Sequence, residues 1–301
     1  MSLNPEILTA PLVGATGVAY VAGLDRLWRR LGRGTGVSQA RAGAFMAGVL
    51  TLGVALASPL DGAANRTLAA HMTQHLLLDS LAAPLLAIGE PVVVLSQLLR
   101  HPARIGVRRL GARAARSANE DRWWAWALGL VAVHTVAMVG WHVPALYDAA
   151  VRNDAVHGLE HVSLVVVGTA LWWLLLGSGR RRPAGGSVLV LFAATLPLAL
   201  LGLFMVLART HWYPAYATSL ADQQVAGALL WGAGGAVAVI QGALLFAAWL
   251  AGTPDDAGNP APSGPNPSDQ QHVVGGVVVA VTTNSPPSSS RVSRWSGARC
   301  G

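Results

Sequence analysis

Seven apolar segments, each long enough to cross a lipid bilayer, constrain the fold of this chain more than any other feature of its sequence. A transmembrane helix needs about 20 mostly apolar residues. Because lipid offers no hydrogen-bond partners, the backbone of such a segment must satisfy itself as a helix. We therefore predict an all-α integral membrane protein, built as a seven-transmembrane helix bundle. The predicted spans are Glu6 to Trp28, Arg41 to Pro59, Leu68 to Gly89, Trp123 to Trp141, His157 to Leu176, Ser187 to Ala208 and Val225 to Ala251.

The composition agrees with a membrane protein and speaks against several other classes. Charged residues make up 12% and hydrophobic residues 53% of the chain, whereas a soluble domain carries about 25% charged residues. Every basic residue is an arginine, and these lie in short loops rather than on one face, which argues against a nucleic-acid partner. The only cysteine is Cys300, so a Cys-x-x-Cys motif or an all-thiolate metal site cannot form within this chain.

The arginines also predict the orientation of the bundle in the membrane. The loops after the first, third and fifth spans carry 15 arginines, whereas the alternate loops carry only Arg66, Arg152 and Arg209. Cytoplasmic loops are the arginine-rich ones, by the positive-inside rule. We therefore predict a multi-pass protein of the bacterial cytoplasmic membrane, with the N-terminus outside and the C-terminus in the cytoplasm.

The chain divides into two parts near Thr253, where the composition changes. Residues 1–252 form the predicted seven-helix domain. Residues 253–301 are rich in proline, serine and glycine, which is typical of a disordered cytoplasmic tail. The start of the sequence has no basic stretch and no clear cleavage site, so the first apolar run is predicted to be a retained span.

Histidines are concentrated at one predicted face of the bundle, and they are the main functional signal. His71 and His75 lie four residues apart in the third span, and His157 and His161 repeat this spacing in the fifth, so each pair shares a helix face. His142 ends the fourth span at the same depth. Ionisable side chains within a membrane are costly and mark functional sites. The group therefore predicts a metal or haem site that opens to the outside.

Other polar residues accompany these histidines. Asp79 continues the face of His71 and His75, and at that depth it needs a histidine or a bound cation as partner. Glu160 can orient a nearby imidazole through its second nitrogen. The complete set of candidate metal ligands is His71, His75, His142, His157, His161, Met72, Asp79, His134, His211, Glu160 and Asp222.

The residue types favour copper, although they leave other hypotheses open. Imidazole binds copper, zinc, iron and nickel, while a thioether favours Cu(I). Three of the five methionines, Met72, Met138 and Met205, lie near the histidines. Haem held by two histidines on facing helices fits the same spacing and would make this a haem-binding redox or haem-handling protein. A copper or proton transporter is a third hypothesis, and a metal-dependent membrane hydrolase is a fourth, although no nucleophile motif stands out.

Five stretches together resemble the CtaG-type cytochrome c oxidase assembly factors, multi-span bacterial membrane proteins associated with caa-type oxidases. The stretches are HMTQHLLL followed by APLLAIGEPV, then WHVPALYDAAV, HGLEHVSLVVVGTALWW and YPAYATSLADQQVAGALLWG, within residues 60–235. The resemblance implies a non-catalytic protein that supports copper insertion into a haem–copper oxidase. It implies oxidase subunits and a periplasmic or extracellular copper donor as partners. The matching positions are His71, His75, His142, His157, His161 and Asp222.

Overall fold

A computed structural model describes residues 5–107, 120–176, 185–214, 216 and 219–251 of the chain. Over these residues the protein is helical and has no β-strand, which confirms the predicted all-α class. The tail at 253–301 and part of the arginine-rich loops lie outside the described residues. The α-helices are α1 (Pro5–Leu31), α2 (Gln39–Leu56), α3 (Pro59–Ala64), α4 (Leu68–Leu76), α5 (Ala83–Ile88), α6 (Pro91–Leu95), α7 (Glu120–Trp141), α8 (Pro144–Arg152), α9 (Asp154–Leu176), α10 (Gly186–Leu207), α11 (Leu220–Ala228) and α12 (Gly234–Ala251).

Five helical stretches are long and apolar enough to cross a membrane, and a bent pair of helical segments makes a sixth candidate. The helix α1 forms where the first span was predicted, but it is not one of these candidates among the described residues. The number of seven spans and the orientation of the termini therefore stay predictions. The five stretches are Gln39–Leu56, Arg122–Trp141, Asp154–Leu176, Gly186–Leu207 and Leu220–Ala251, and the bent pair is Leu68–Ile88 with Pro91–Leu98.

The bent span changes direction by 54° at Glu90. This residue has a left-handed backbone, with φ of 51°, which is uncommon for a residue other than glycine. Its carboxylate accepts hydrogen bonds of 3.3 Å from the guanidinium of Arg41 and from the indole N–H of Trp173. The hydroxyl of Tyr20 donates to the carbonyl of Gly89 at 2.8 Å. Side chains from α1, α2 and α9 thus hold the bend in place.

The same span is also interrupted by a π-helical segment, Leu77–Ala82, between α4 and α5. A second π-helical segment, Leu229–Ala233, joins α11 to α12. Segments of this kind are rare and are often found at functional sites, because the wider turn redirects the side chains that follow. The first one begins two residues after His75, so it lies directly below the predicted metal-binding residues.

Helix α9 is the central element of the bundle, because it packs against α5, α7, α8 and the first π-helical segment. On the other side, α10 packs against α7, α11 and α12. The approach of α10 and α11 requires glycine: a Cβ on Gly202 would lie 2.7 Å from the carbonyl oxygen of Gly227, and one on Gly227 would lie 2.6 Å from that of Gly202. Small residues allow such close contact between membrane helices. This packing places α11 against α4, the helix that carries His71 and His75.

Candidate metal centre

Four donor atoms converge between α4 and α9, and we call them the α4–α9 site. Helix α4 supplies His71 and His75, and helix α9 supplies Glu160 and His161. One ligand atom from each residue lies within 4.8 Å of the others. The Nε2 atoms of His71 and His75 are 2.9 Å apart, and the carboxylate of Glu160 lies 3.7 Å from the first and 3.4 Å from the second. Two nitrogens bound at ~2.0 Å to a tetrahedral ion lie about 3.3 Å apart, so this spacing fits one metal ion.

The α4–α9 site is buried, and part of its polar surface lacks a partner. The side chain of Glu160 is fully buried, and His71, His75 and His161 are 1%, 3% and 7% exposed. Within the part of the chain that the structure describes, neither oxygen of Glu160 nor Nε2 of His161 has a hydrogen-bond partner. Burying a carboxylate without a hydrogen-bond partner costs free energy, because the lost hydration is not replaced. A bound cation would satisfy these atoms, so the residues present fit a metal ion.

A tyrosine orients the ring of His71 toward this site. The hydroxyl of Tyr216 donates its proton to the carbonyl of Ala64 at 2.7 Å. Because a phenol has a single donor, the same hydroxyl must accept the 2.8 Å bond from Nδ1–H of His71. Nε2 of His71 is then unprotonated in the neutral ring and faces His75 and Glu160. Burial raises the pKa of Tyr216 above its ordinary value, so this phenol keeps its proton.

Two more of the predicted histidines border the α4–α9 site. The ring of His157 lies 5.1 Å from that of His71 and 4.2 Å from that of His161. The ring of His142, in the turn after α7, lies 5.4 Å from that of His75. Burial lowers the pKa of His142, which favours the neutral ring that a metal requires. The five clustered histidines of the sequence are thus brought together.

A cavity of about 440 Å³ reaches this group of histidines from the side of α1 and α2. Its wall includes His157 and His161, and residues of α1, α2 and α9, most of them apolar, form much of the remainder. Asp61, Asn65 and Asp154 also line it. Two carboxylates and two imidazoles along one cavity make a path that attracts cations.

Asp79 and His134 form a separate pair, away from the α4–α9 site. Nε2 of His134 lies 3.1 Å from Oδ1 of Asp79, which confirms that Asp79 has a histidine partner. As predicted, Asp79 shares the face of His75, since both side chains contact α9 and either α7 or the turn after it. It lies further along the span, in the π-helical segment, and is not one of the four converging donors. A Cβ on Gly168 would lie 2.7 Å from Oδ1 of Asp79, so only glycine leaves room for the carboxylate.

Two other candidates are placed outside the site. The carboxylate of Asp222 accepts hydrogen bonds from the backbone N–H groups of Leu68, at 2.8 Å, and Ala69, at 3.3 Å. It therefore caps the first turn of α4, where N–H groups lack helical partners and negative charge is favourable. His211 is partly buried, and among the described residues it belongs neither to the converging donor atoms nor to the ring contacts.

The sequence-based prediction missed three tyrosines that pack beside the histidines. Tyr147 is 4.9 Å from the ring of His71, 4.5 Å from that of Tyr213 and 5.9 Å from that of Tyr216. All three belong to one buried cluster with Met72. They occur in two of the stretches that carry the family resemblance, WHVPALYDAAV and YPAYATSL. Tyrosines near the end of a membrane span are usually interface anchors, so their position alone did not indicate a role in the site.

Comparison with known proteins gives one family and several distant relatives. The sequence model of the cytochrome c oxidase caa3 assembly factor (Caa3_CtaG) family matches residues 18–252. An uncharacterized protein of Mycobacterium bovis is 26% identical over 249 residues, which cover 73% of this chain and 36% of that protein. An uncharacterized protein of Mycobacterium leprae is 25% identical over 267 residues, which cover 79% of this chain and 38% of that protein. The chain thus matches little more than a third of the length of these relatives. No solved structure matches it.

Proposed function

Because the chain belongs to the cytochrome c oxidase caa3 assembly factor family, we propose that it binds copper at the α4–α9 site and supports the metallation of a haem–copper oxidase. The observation that carries this proposal is the convergence of His71, His75, Glu160 and His161 as four buried donors. Three imidazoles and one carboxylate suit a transition-metal ion rather than calcium or magnesium. Copper is the cargo here, held and passed on to a partner without chemical conversion.

The distribution of the arginines supports delivery at the outer face. We infer that α1 also crosses the membrane and brings the number of spans to seven. The N-terminus is then outside, and the arginine-rich loops lie in the cytoplasm. His142, His157 and the cavity beside α1 and α2 lie at the opposite, outer end of the bundle. A periplasmic or extracellular donor would supply the ion there, and the oxidase subunits in the same membrane would receive it.

The number of converging donors favours a bare ion over haem. Three imidazoles and a carboxylate lie within 4.8 Å of one another, whereas a haem iron takes at most two protein ligands, one on each side of the porphyrin. The haem hypothesis predicts a Soret band in the purified protein, and we expect none.

The experiment that tests the proposal is anaerobic titration of the detergent-purified full chain with Cu(I) against a competing chelator. Copper per chain is measured by elemental analysis on the wild type and on the double variant His75→Ala/His161→Ala. We expect stoichiometric copper in the wild type and its loss in the double variant. The control is His101→Asn, an exposed histidine outside the site, which should bind as the wild type does. Wild-type stoichiometry in the double variant would overturn the site assignment.

A further inference from the structure

A thioether and an imidazole face each other next to the α4–α9 site. Met72 lies on α4 and is fully buried, and His142 is 3% exposed. The Sδ atom of Met72 is 3.2 Å from Nε2 of His142. Both atoms are good ligands for a soft metal ion, and neither is one of the four donors of the α4–α9 site.

The hydrogen bonding of His142 shows that no proton joins these two atoms in the neutral ring. Nδ1 of His142 lies 2.6 Å from the carbonyl oxygen of Met138. A carbonyl only accepts, so Nδ1 must carry the ring proton. Nε2 is then unprotonated, and its lone pair points at a sulfur that also carries only lone pairs. Two electron donors in contact, shielded from water, make a site that an electrophilic ion would stabilise.

We propose that Met72 and His142 form a second, softer station for Cu(I), to which the ion passes from the α4–α9 site. This inference rests on the proposed function and extends it to selectivity between metals. A thioether binds Cu(I) well and Zn(II) poorly, whereas imidazole and carboxylate accept both. The α4–α9 site therefore binds either ion, whereas the second station, Met72 with His142, retains only Cu(I).

The ring contacts place the two stations in sequence along one path. His157 and His161 line the cavity, and their rings contact that of His71. His75 contacts His161 on one side and His142 on the other, at ring distances of 5.7 Å and 5.4 Å. Among the ring contacts of the described histidines, His142 contacts no imidazole other than His75. The ion would thus reach the thioether only after passing the α4–α9 site.

The surroundings of the second station hold it closed and dry. The hydroxyl of Tyr213 donates to the backbone carbonyl of His142 at 2.9 Å, and the ring of Tyr147 lies 6.1 Å from the imidazole. Met72 packs in one buried cluster with both tyrosines. A nitrogen and a sulfur 3.2 Å apart are too close for a linear arrangement with bonds of ~2.0 and ~2.3 Å. The ion therefore lies to one side of the line that joins the nitrogen and the sulfur. In that position it can also bind one ligand of the α4–α9 site during transfer.

The test is X-ray absorption at the copper edge of the Cu(I)-loaded full chain. All variants carry Cys300→Ser, because the only thiol of the chain would otherwise supply a sulfur signal. We compare this background with Met72→Leu and with the control Met205→Leu, a fully buried methionine of the same cluster. The background and Met205→Leu should show one sulfur near copper, and Met72→Leu only nitrogen and oxygen.

Metal competition gives a second measurement that a folding defect would not mimic. In Met72→Leu the preference for Cu(I) over Zn(II) should fall about tenfold, equal to 1.4 kcal/mol, while Zn(II) affinity stays at the background value. Copper bound by nitrogen and oxygen alone in the background protein, or sulfur that persists in Met72→Leu, would overturn the second station and leave the proposed function standing. Absence of bound copper in the background protein would overturn both.

Discussion

Two buried groups of histidine and carboxylate lie one above the other in this bundle, and they differ in how their polar atoms are satisfied. In the α4–α9 site, both oxygens of Glu160 lack a hydrogen-bond partner within the described chain. In the lower group, the carboxylate of Asp79 is bonded to His134 at 3.1 Å, in a gap that Gly168 leaves open. The two groups have the same side-chain chemistry, so residue type does not distinguish them.

The comparison shows how a ligand site differs from a structural ion pair. A pair that satisfies itself lowers the cost of its own burial and needs no ligand, so removing one partner leaves the other buried without a bond. A group with buried polar atoms that have no hydrogen bond, such as the oxygens of Glu160 and Nε2 of His161 among the described residues, costs free energy until something else binds there. We therefore expect changes at the α4–α9 site to act mainly on copper binding, and changes at Asp79 to act mainly on stability.

The largest effect is expected from Glu160→Gln, which removes the only carboxylate of the α4–α9 site. Two opposite unit charges about 4 Å apart attract by about 4 kcal/mol at an effective dielectric constant of ~20, so Cu(I) affinity should fall at least about a hundredfold. The metal-free protein should not lose stability, because the change removes a buried carboxylate that has no hydrogen bond among the described residues. Chelator competition and thermal unfolding without metal measure the two quantities. A copper affinity unchanged from the wild type would contradict the role given to Glu160.

Asp79→Asn makes the same carboxylate-to-amide change in the Asp79–His134 pair. It should reduce stability and leave copper binding unchanged, the reverse of Glu160→Gln. Loss of the charged hydrogen bond to His134 should lower the free energy of unfolding by about 1–3 kcal/mol, while copper stoichiometry stays at the wild-type value. Denaturation of the metal-free protein and copper analysis on one preparation check both statements. If Asp79→Asn lost copper as Glu160→Gln does, the two groups would be one site and the comparison would fail.

The smallest effect is expected from Tyr216→Phe, which removes the hydroxyl that orients His71. Loss of such an outer partner weakens metal binding by about 10- to 100-fold, and we expect the lower end because His75, Glu160 and His161 remain. The control is Tyr20→Phe, which removes a buried hydroxyl bonded to a backbone carbonyl far from the site. Equal copper affinity in Tyr216→Phe and Tyr20→Phe would show that the His71 ring needs no orientation by the phenol.

Local spacing predicted part of the site, and long-range contacts decided the rest. His71 with His75, and His157 with His161, share helix faces because residues four apart always do. Glu160 is among the ligands predicted from the sequence because it can orient an imidazole, and its oxygens lie among the ligand nitrogens themselves. That placement depends on how closely α4 and α9 pack, which no local pattern specifies.

Asp222 also shows that local sequence patterns do not specify contacts between distant helices. It was predicted beside the metal, and its carboxylate instead caps α4, at a helix start 154 residues earlier in the chain. Apolar length predicted the helices themselves well, because lipid permits little else. It did not reveal the π-helical segment or the bend at Glu90, since both depend on contacts made by neighbouring helices.

The π-helical segment Leu77–Ala82 has a consequence for how sequences of this kind are aligned. A π-helical turn takes up one residue more than an α-helical turn, so the span carries an extra residue here while α4 and α5 keep the faces that they present to α9. A relative with one residue fewer in this segment is therefore expected to run as an uninterrupted α-helix with its metal-binding histidines in place. Sequences of this family are best aligned separately before and after Leu77–Ala82, because a constant spacing between His75 and the residues of α5 is not required.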